Sequence, residues 1–240
     1  MRKFTLAILL ASSLVLAADA GPAVAAPPGA SRIAELVFSQ TLIYEQPEGR
    51  VERAMSPETG YGPRVALRVL SVRNDAAGRR WYRVLLPTRP NGSTGWVRAD
   101  RVHTRWTRYR IQISTYNRRL QLLYNNRVVL STGVVVGKRS TPTPAGQFAV
   151  YANYRAPGTP LAPRVMELTA HSNVLHEYAG GPGRVAIHGR AGPLWAPVGT
   201  ALSNGCIRVP SRALNRIGKM VPLGTPVEIT RHSLSWLNRR

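Results

Sequence analysis

The sequence predicts a mainly β protein built from two successive modules. Short runs rich in β-branched and aromatic residues recur along the chain, and clusters of glycine, proline and asparagine separate them. Only residues 211–220 have the apolar spacing that an amphipathic helix requires. A chain of this length suits one or two small domains. We therefore expect two β modules, the second with one or two helices.

The first 26 residues have the pattern of a secretory signal peptide. Arg2 and Lys3 precede an apolar stretch, residues 4–18, that is shorter than the roughly 20 residues needed to cross a bilayer. Small residues typical of signal peptidase sites follow, with no cysteine nearby to carry a lipid anchor. An uncleaved anchor is the alternative. We expect an exported protein, located in the periplasm, in the cell wall or outside the cell, with no stable membrane span.

The chain is strongly basic. Its formal net charge is +22, and removal of residues 1–26 leaves about +21, because 31 basic and ten acidic residues remain. For an exported protein this charge favours binding to an anionic surface, such as cell-wall polymers or lipid headgroups. No zinc-finger spacing, basic zipper or RNA-binding aromatic motif is present, so nucleic acid is not an expected partner.

The first module is predicted to span residues 33–104. Its strand signals lie at residues 34–44, 65–72, 81–86 and 95–98. Several short strands separated by turn clusters are typical of a small barrel or sandwich. Trp81 and Trp96 are expected to pack in its core.

The second module is predicted to span residues 107–230. Residues 110–114 and 120–124 flank a polar turn, which predicts a hairpin. Further strand signals lie at residues 128–130, 134–136, 148–151, 185–187 and 226–230. The predicted helix places Leu214, Ile217 and Val221 on one face.

Cys206 is the only cysteine of the sequence. A single thiol cannot form an internal disulfide and is a poor metal site, so we expect no metal and no cofactor. An inert buried residue, an intermolecular disulfide and a nucleophile remain possible. The turn-forming run Ser203-Asn204-Gly205 precedes it and would hold the sulfur clear of a sheet. Our hypothesis is acyl transfer by a cysteine and a histidine.

His188 is the best candidate for the base among five histidines. Residues 185–187 resemble a buried strand that Gly189 ends, which would place the imidazole at a strand end. Such an imidazole activates the thiol and later protonates the departing amine. No aspartate follows Asp100, so either a glutamate or a backbone carbonyl near Gly189 must orient His188. We expect a modest ion pair with Cys206.

Other residues near Cys206 are candidates for binding. The backbone N–H groups of Gly205 and Cys206 are expected to face a developing oxyanion. Arg208 would point to the same side as Cys206 and could hold a substrate carboxylate, although a surface arginine explains it equally well. For His171 and its neighbour His176, lining of the cleft and structural hydrogen bonding both remain open.

These residues resemble the YkuD-type L,D-transpeptidase family, in which a His-Gly pair is followed by Ser/Thr-His-Gly-Cys. Here His188-Gly189 precedes Ser203-Asn204-Gly205-Cys206, and Cys206 lies 18 positions after His188. The loop 136–148 and the pair Gly180-Gly181 are also similar to that family. The resemblance covers residues 107–230.

The resemblance implies a β-rich YkuD fold with Cys206 as nucleophile and His188 as general acid/base, while Ser203 and Gly205 shape the nucleophile turn. Its implied substrates are peptidoglycan stem peptides. The enzyme would cleave after the L-centre of the diamino acid at position three, release D-alanine and pass the acyl group to another amine. Two positions depart from the family: Asn204 stands where many members have a second histidine, and Arg208 where many have asparagine.

The first module carries a Trp-Tyr-x-Val run followed by Gly-Trp-Val, which resembles bacterial SH3-type domains. This resemblance implies an SH3-like β-barrel.

Three other functions are weighed. Water as acceptor would make the protein an L,D-carboxypeptidase. A sortase-like enzyme also has histidine before cysteine, but the Thr-Leu-x-Thr-Cys context is missing. A non-catalytic cell-wall-binding protein would not need Cys206 and His188 at this spacing.

Overall fold

The computed structural model describes residues 26–59 and 62–237, so the predicted signal peptide lies outside the described residues except for Ala26. The described part of the chain is mainly β, which confirms the predicted class. Its strands and helices fall into an N-terminal module, residues 31–107, and a C-terminal module, residues 109–237.

The N-terminal module is an antiparallel sheet with the strand order β3-β2-β8-β7-β6-β1-β9, beside a small pair formed by β4 and β5. Its strands are β1 (Ser31–Leu36), β2 (Thr41–Tyr44), β3 (Val51–Met55), β4 (Glu58–Thr59), β5 (Gly62–Pro63), β6 (Ala66–Asn74), β7 (Arg80–Leu85), β8 (Thr94–Arg98) and β9 (Val102–Thr107), with a short 3-10 helix at Ala99–Arg101. Trp81 is buried against the edge of the Tyr44 ring, and its indole N–H donates to Asp75, so the predicted core packing is confirmed for Trp81.

The C-terminal module is a mixed sheet with the order β12-β11-β10-β19-β14-β15-β16-β18, and β13 and β17 form a separate parallel pair. Its elements are β10 (Tyr109–Ser114), β11 (Arg119–Tyr124), β12 (Arg127–Gly133), β13 (Val136–Gly137), β14 (Gly146–Arg155), β15 (Arg164–His171), β16 (Arg184–His188), a 3-10 helix (Gly192–Leu194), β17 (Ala201–Ser203), β18 (Ile207–Arg208), α1 (Ser211–Met220), β19 (Pro226–Thr230) and α2 (Leu234–Leu237). Two contacts in the large sheet are parallel, β10 with β19 and β16 with β18.

Local sequence patterns explain several of these elements. The hairpin of β10 and β11 and the helix α1 both form where the sequence predicts them. Leu214 and Ile217 are fully buried and join the core of the C-terminal module. Strand β15 was not predicted. All of its residues except Arg164 and Glu167 are buried. The strand therefore lacks the alternation of buried and exposed residues that marks a half-exposed strand.

The core lies on one face of the strands β15, β16 and β18. Met166, Ile187 and Ile207 are among the buried residues of that core. Because side chains alternate along a strand, the residues next to these three in each strand point to the opposite face of the sheet. No helix in the described ranges is long and apolar enough to cross a membrane.

Candidate active site

Two neighbouring parallel strands bring the main candidate residues together. In the register of β16 and β18, Ile187 pairs with Ile207 and His188 pairs with Arg208. Ile187 and Ile207 point into the core. Cys206, one position before Ile207, therefore shares a face with His188 and Arg208 and is the diagonal neighbour of His188.

A cavity of about 450 Å³ opens on this face, and Cys206, His188 and Arg208 all line it. Strands β14 and β15 form one wall. The segment 178–182, which lies between β15 and β16, forms another. The thiol and the imidazole thus face one space that is large enough for part of a peptide.

The turn before Cys206 is closed by the buried side chain of Ser203. Its hydroxyl donates to the carbonyl of Cys206 at 2.5 Å and accepts the N–H of Gly205 at 3.1 Å. Gly205 has a φ of +116°, a conformation that favours glycine. Because its N–H is donated to Ser203, the amide of Gly205 is not available as the expected oxyanion donor. The backbone N–H of Cys206 remains the candidate donor.

Thr143 supports the same turn from the loop that leads into β14. Its buried hydroxyl accepts the N–H of Gly137 at 2.8 Å and donates to the carbonyl of Gly205 at 2.8 Å. Sequence reasoning singles out this loop as a whole but not Thr143, because only the fold brings it to Gly205, 62 positions away.

His188 is buried, with 4% of its surface exposed. Its Nδ1 lies 2.6 Å from the carbonyl oxygen of Gly189. In the neutral ring Nδ1 therefore carries the proton, and Nε2 is the basic nitrogen. Gly189 is itself fixed, because its N–H donates to Leu161 and a Cβ there would lie 1.5 Å from the carbonyl oxygen of Ala162.

Glu167 lines the cavity but pairs with other groups. Its carboxylate lies 3.4 Å from Nε of Arg184 and accepts the hydroxyl of Tyr154 at 3.3 Å. Burial raises the pKa of Glu167, whereas Arg184 and Tyr154 lower it. The sequence left a glutamate and a backbone carbonyl as possible partners that orient His188. In the structure the partner is the carbonyl of Gly189.

Burial favours the neutral forms of both Cys206 and His188. Burial lowers the pKa of His188 to about 4; the bond to Gly189 opposes this shift and the charge of Arg208 adds to it. Burial raises the pKa of the Cys206 thiol more than a backbone hydrogen bond from Ala186 and the charge of Arg208 lower it. These directions favour a thiol beside a neutral imidazole over the expected modest ion pair. Such a pair can transfer the thiol proton to Nε2 as the sulfur attacks.

Arg208 is half-buried and lines the same cavity. Its Nη1 donates to the carbonyl of Leu194 at 3.0 Å, while its buried Nε has no hydrogen-bond acceptor among the described residues. Asn204 also lines the cavity, and its Nδ2 donates to the hydroxyl of Tyr178 at 2.8 Å. Asn204 thus links the nucleophile turn to the segment that covers it.

The structure does not bring His171 to the cavity. His171 is buried on β15, where its backbone N–H and C=O both bond to the side chain of Asn91 in the N-terminal module. His176 is exposed and is not among the cavity-lining residues. No group of three or more metal-ligating side chains is assembled anywhere in residues 26–59 and 62–237.

Comparison with known proteins assigns the sequence of the C-terminal module to a family. The profile of the L,D-transpeptidase catalytic domain matches residues 108–229. Two curated relatives, each named "Putative L,D-transpeptidase YkuD", come from Bacillus subtilis and Bacillus licheniformis. They are 33% identical over 123 and 122 residues, which is 51% of this chain and 66% of each relative. The chain thus matches less than two thirds of their length.

Solved structures of L,D-transpeptidases also align with the chain. A mutant of the Enterococcus faecium enzyme is 28% identical with a TM-score of 0.39, covering 51% of this chain and 49% of that one. L,D-transpeptidase 3 from Mycobacterium tuberculosis is 12% identical with a TM-score of 0.43, covering 69% and 91%. The match of the family profile to residues 108–229 establishes that the chain belongs to the family of the YkuD L,D-transpeptidase catalytic domain.

Proposed function

We propose that the protein is a peptidoglycan L,D-transpeptidase that works through a thioester on Cys206. The observation that carries this proposal is the shared cavity of Cys206 and His188, in which Nδ1 is tied to Gly189 and Nε2 is left as the base. Membership of the family supports the choice of substrate, a stem tetrapeptide with a diamino acid at position three.

In the acylation step, the sulfur of Cys206 attacks the carbonyl carbon at the L-centre of that diamino acid. His188 accepts the thiol proton on Nε2, and the backbone N–H of Cys206 stabilises the oxyanion. The imidazolium then protonates the leaving nitrogen, so the C–N bond breaks and D-alanine departs. The product is a thioester with His188 neutral again.

In the transfer step, an amine of a second stem attacks the thioester carbonyl. His188 accepts a proton from that amine and returns it to the leaving sulfur, which restores the thiol and the neutral imidazole. The low pKa of His188 suits this cycle, because the imidazole is ready to accept a proton at the start of each step.

Arg208 is proposed to bind a carboxylate of the substrate. Its buried Nε is an unused donor in the part of the chain described, and a carboxylate in the cavity would accept from it while Leu194 holds Nη1. Without a substrate this donor remains desolvated, which favours an anionic ligand.

The remaining parts of the chain are proposed to serve delivery. Residues 1–26 would direct export, residues 33–104 would form an SH3-like module that contacts the wall, and the high positive charge would favour anionic wall polymers. These assignments rest on the sequence patterns.

The decisive experiment is intact mass spectrometry after incubation with a carbapenem, a β-lactam that acylates nucleophiles by ring opening. Because Cys206 is the only thiol, a stable adduct of one carbapenem that is absent in Cys206→Ala identifies the nucleophile. A folded wild-type protein that forms no adduct would contradict the proposal.

The acceptor is tested with a stem tetrapeptide that carries a diamino acid. Peptide dimers with loss of D-alanine indicate a transpeptidase, whereas tripeptide alone indicates an L,D-carboxypeptidase. The variant Cys206→Ala should form neither product. Retained acyl transfer in that variant would rule out the thioester.

A further inference from the structure

The segment 172–183, here called the flap, connects β15 to β16. Its base is closed by a hydrogen bond from the N–H of Ser172 to the carbonyl of Gly183 at 2.8 Å. Its tip is a tight turn in which Tyr178 and Gly181 exchange N–H to carbonyl hydrogen bonds at 2.9 and 3.0 Å. The flap is therefore an ordered loop with two legs.

The tip of the flap lies over the candidate active site. Residues 178–182 line the cavity that also contains Cys206 and His188. The hydroxyl of Tyr178 accepts the bond from Asn204, two positions before Cys206. A change in the position of the flap would thus change the shape of the cavity at the nucleophile.

The flap contributes little packing of its own. Most of residues 173–181 are exposed, and no flap residue belongs to the main core of the C-terminal module. Loops with few buried apolar contacts open at low free-energy cost unless other groups hold them. The position of the flap must therefore depend on hydrogen bonds from outside.

Apart from the bond of Asn204 to Tyr178, those bonds come mainly from the N-terminal module. Arg89 lies in the loop 86–93 between β7 and β8. Its Nη1 donates to the carbonyl of Ser172 at 2.7 Å. Its Nη2 donates to the carbonyls of Leu175 and Pro182 at 3.1 and 3.2 Å. One guanidinium thus bridges both legs of the flap, a geometry that its planar fork of donors permits and an ammonium group does not.

Neighbouring contacts attach the same loop to the strands that carry the flap. Asn91 bonds to both backbone groups of His171 at 2.8 Å, at the end of β15. Arg184, at the start of β16, donates to the carbonyl of Pro87 at 3.3 and 3.4 Å. The residues on either side of the flap, His171 and Arg184, are therefore hydrogen-bonded to the loop 86–93 that contains Arg89.

We propose that the loop 86–93 of the N-terminal module holds the flap in place over the cavity, and that Arg89 is the positioning residue through which it does so. The N-terminal module then has a role in the reaction itself, because it shapes the substrate site from outside the C-terminal module. The kinetic part of this inference rests on the proposed function; the structural part does not.

The test compares Arg89→Ala with Arg83→Ala in the full chain. Arg83 is an exposed arginine of the same module that donates to Thr94 and does not touch the flap, so its removal costs the same charge. In Arg89→Ala the hydrogen-bonded backbone amides of the flap should exchange with deuterium at least about tenfold faster, because three hydrogen bonds from a charged donor are lost. These are the amides of Ser172, Val174, Leu175, Tyr178 and Gly181. Arg83→Ala should exchange like the wild type.

Two further readouts separate positioning from general destabilisation. In Arg89→Ala, Cys206 should react several-fold faster with iodoacetamide because the cover opens. KM for the stem tetrapeptide should rise several-fold, with a smaller change in kcat. Arg89→Lys keeps the charge but not the fork, so its flap amides should also exchange faster than those of the wild type.

The outcomes distinguish the two proposals. If the protein forms no acyl-enzyme but the flap responds to Arg89→Ala as described, the proposed function fails and the positioning role stands. Flap exchange within twofold of the wild type in folded Arg89→Ala would overturn the positioning role. If Arg89→Ala does not fold, the same criterion applies to Arg89→Lys.

Discussion

The pH dependence of Cys206 acylation tests whether thiol and imidazole act as a neutral pair. The base must be unprotonated to accept the thiol proton, and burial lowers the pKa of His188 to about 4. At pH 5 about 0.9 of such an imidazole is neutral, against about 0.03 for a histidine with the ordinary value of 6.5. The second-order rate constant of acylation at pH 5 should therefore stay close to its value at pH 7.

The size of the contrast makes the measurement decisive. A histidine with an ordinary pKa would lose about 25-fold in rate between pH 7 and pH 5, because its neutral fraction falls by that factor. With the low pKa of His188, the rate should instead change by less than about twofold. Below about pH 4 the rate should decrease tenfold per pH unit as His188 takes up its proton.

The assay is the rate of carbapenem adduct formation, followed by quenched intact mass spectrometry between pH 3.5 and 8 at constant ionic strength. Circular dichroism checks that the protein stays folded over this range. His188→Gln should acylate far more slowly at every pH, whereas His103→Gln removes an exposed histidine of the N-terminal module that does not line the cavity and should leave the profile unchanged.

Two results would refute this reasoning. A 25-fold decrease between pH 7 and pH 5, with a midpoint near 6.5, would show that burial does not set the pKa of His188. An unchanged rate in His188→Gln would show that another group is the base.

Three further predictions concern the groups that support the site. Above pH 6.5 His188 is neutral in both states, but between pH 6.5 and 4 only the unfolded chain protonates it. In urea titrations, His188 should therefore contribute a fall of about 3 kcal/mol in the free energy of unfolding over that interval, measured as the difference between the wild type and His188→Gln. Burial also lowers the pKa of His171 to about 4, so His171 adds a fall of its own in both proteins. Gly189→Ala should destabilise the protein by about 1–3 kcal/mol and slow acylation, because its Cβ would lie 1.5 Å from the carbonyl oxygen of Ala162; wild-type thermal stability would contradict this. Ser203→Ala should cost about 1–3 kcal/mol and slow the carbapenem adduct, because it leaves two buried backbone groups of the turn without their partner; an unchanged adduct rate would exclude a role for the turn.

The elements that local patterns specify were predictable. The hairpin of β10 and β11 is visible as two apolar runs around a polar turn, and α1 as apolar residues spaced for one helical face. Strand β15 was missed because burial on both faces removes the alternating signal. Burial does not decide the outcome by itself: the equally buried β16 was predicted from its run of apolar residues, whereas the half-exposed β9 was missed.

Contacts between distant segments were not predictable from local patterns. Thr143 reaches Gly205 across 62 positions, and Arg89 reaches Ser172 across 83. Nothing in the residues around Arg89 distinguishes it from the other arginines of a basic chain. The hydrogen-bond acceptors of Arg89 lie in the other module, so its role becomes visible only in the folded structure.

The electrostatic state of the pair was also beyond local reasoning. The absence of aspartate after Asp100 correctly indicated that no aspartate of this module could orient His188. A carbonyl is a weaker partner for an imidazolium than a carboxylate is. Burial, which the sequence does not report, adds a desolvation cost that disfavours the charged ring. A neutral resting pair follows from these two facts together.

The register of β16 and β18, together with the alternation of buried and exposed residues in β18, places Cys206 next to His188. Along residues 206–209, Ile207 and Val209 are buried in the core, which leaves Cys206 and Arg208 on the opposite face. The N–H of Val209 donates to the carbonyl of His188 at 2.8 Å, which fixes the pairing of the two strands. A slip of one residue would turn the thiol into the core and expose two apolar side chains. The burial of Ile207 and Val209 therefore holds Cys206 on the same face of the sheet as His188. The alternation of residues 206–209 can be seen in the sequence, but the strand that pairs with them cannot.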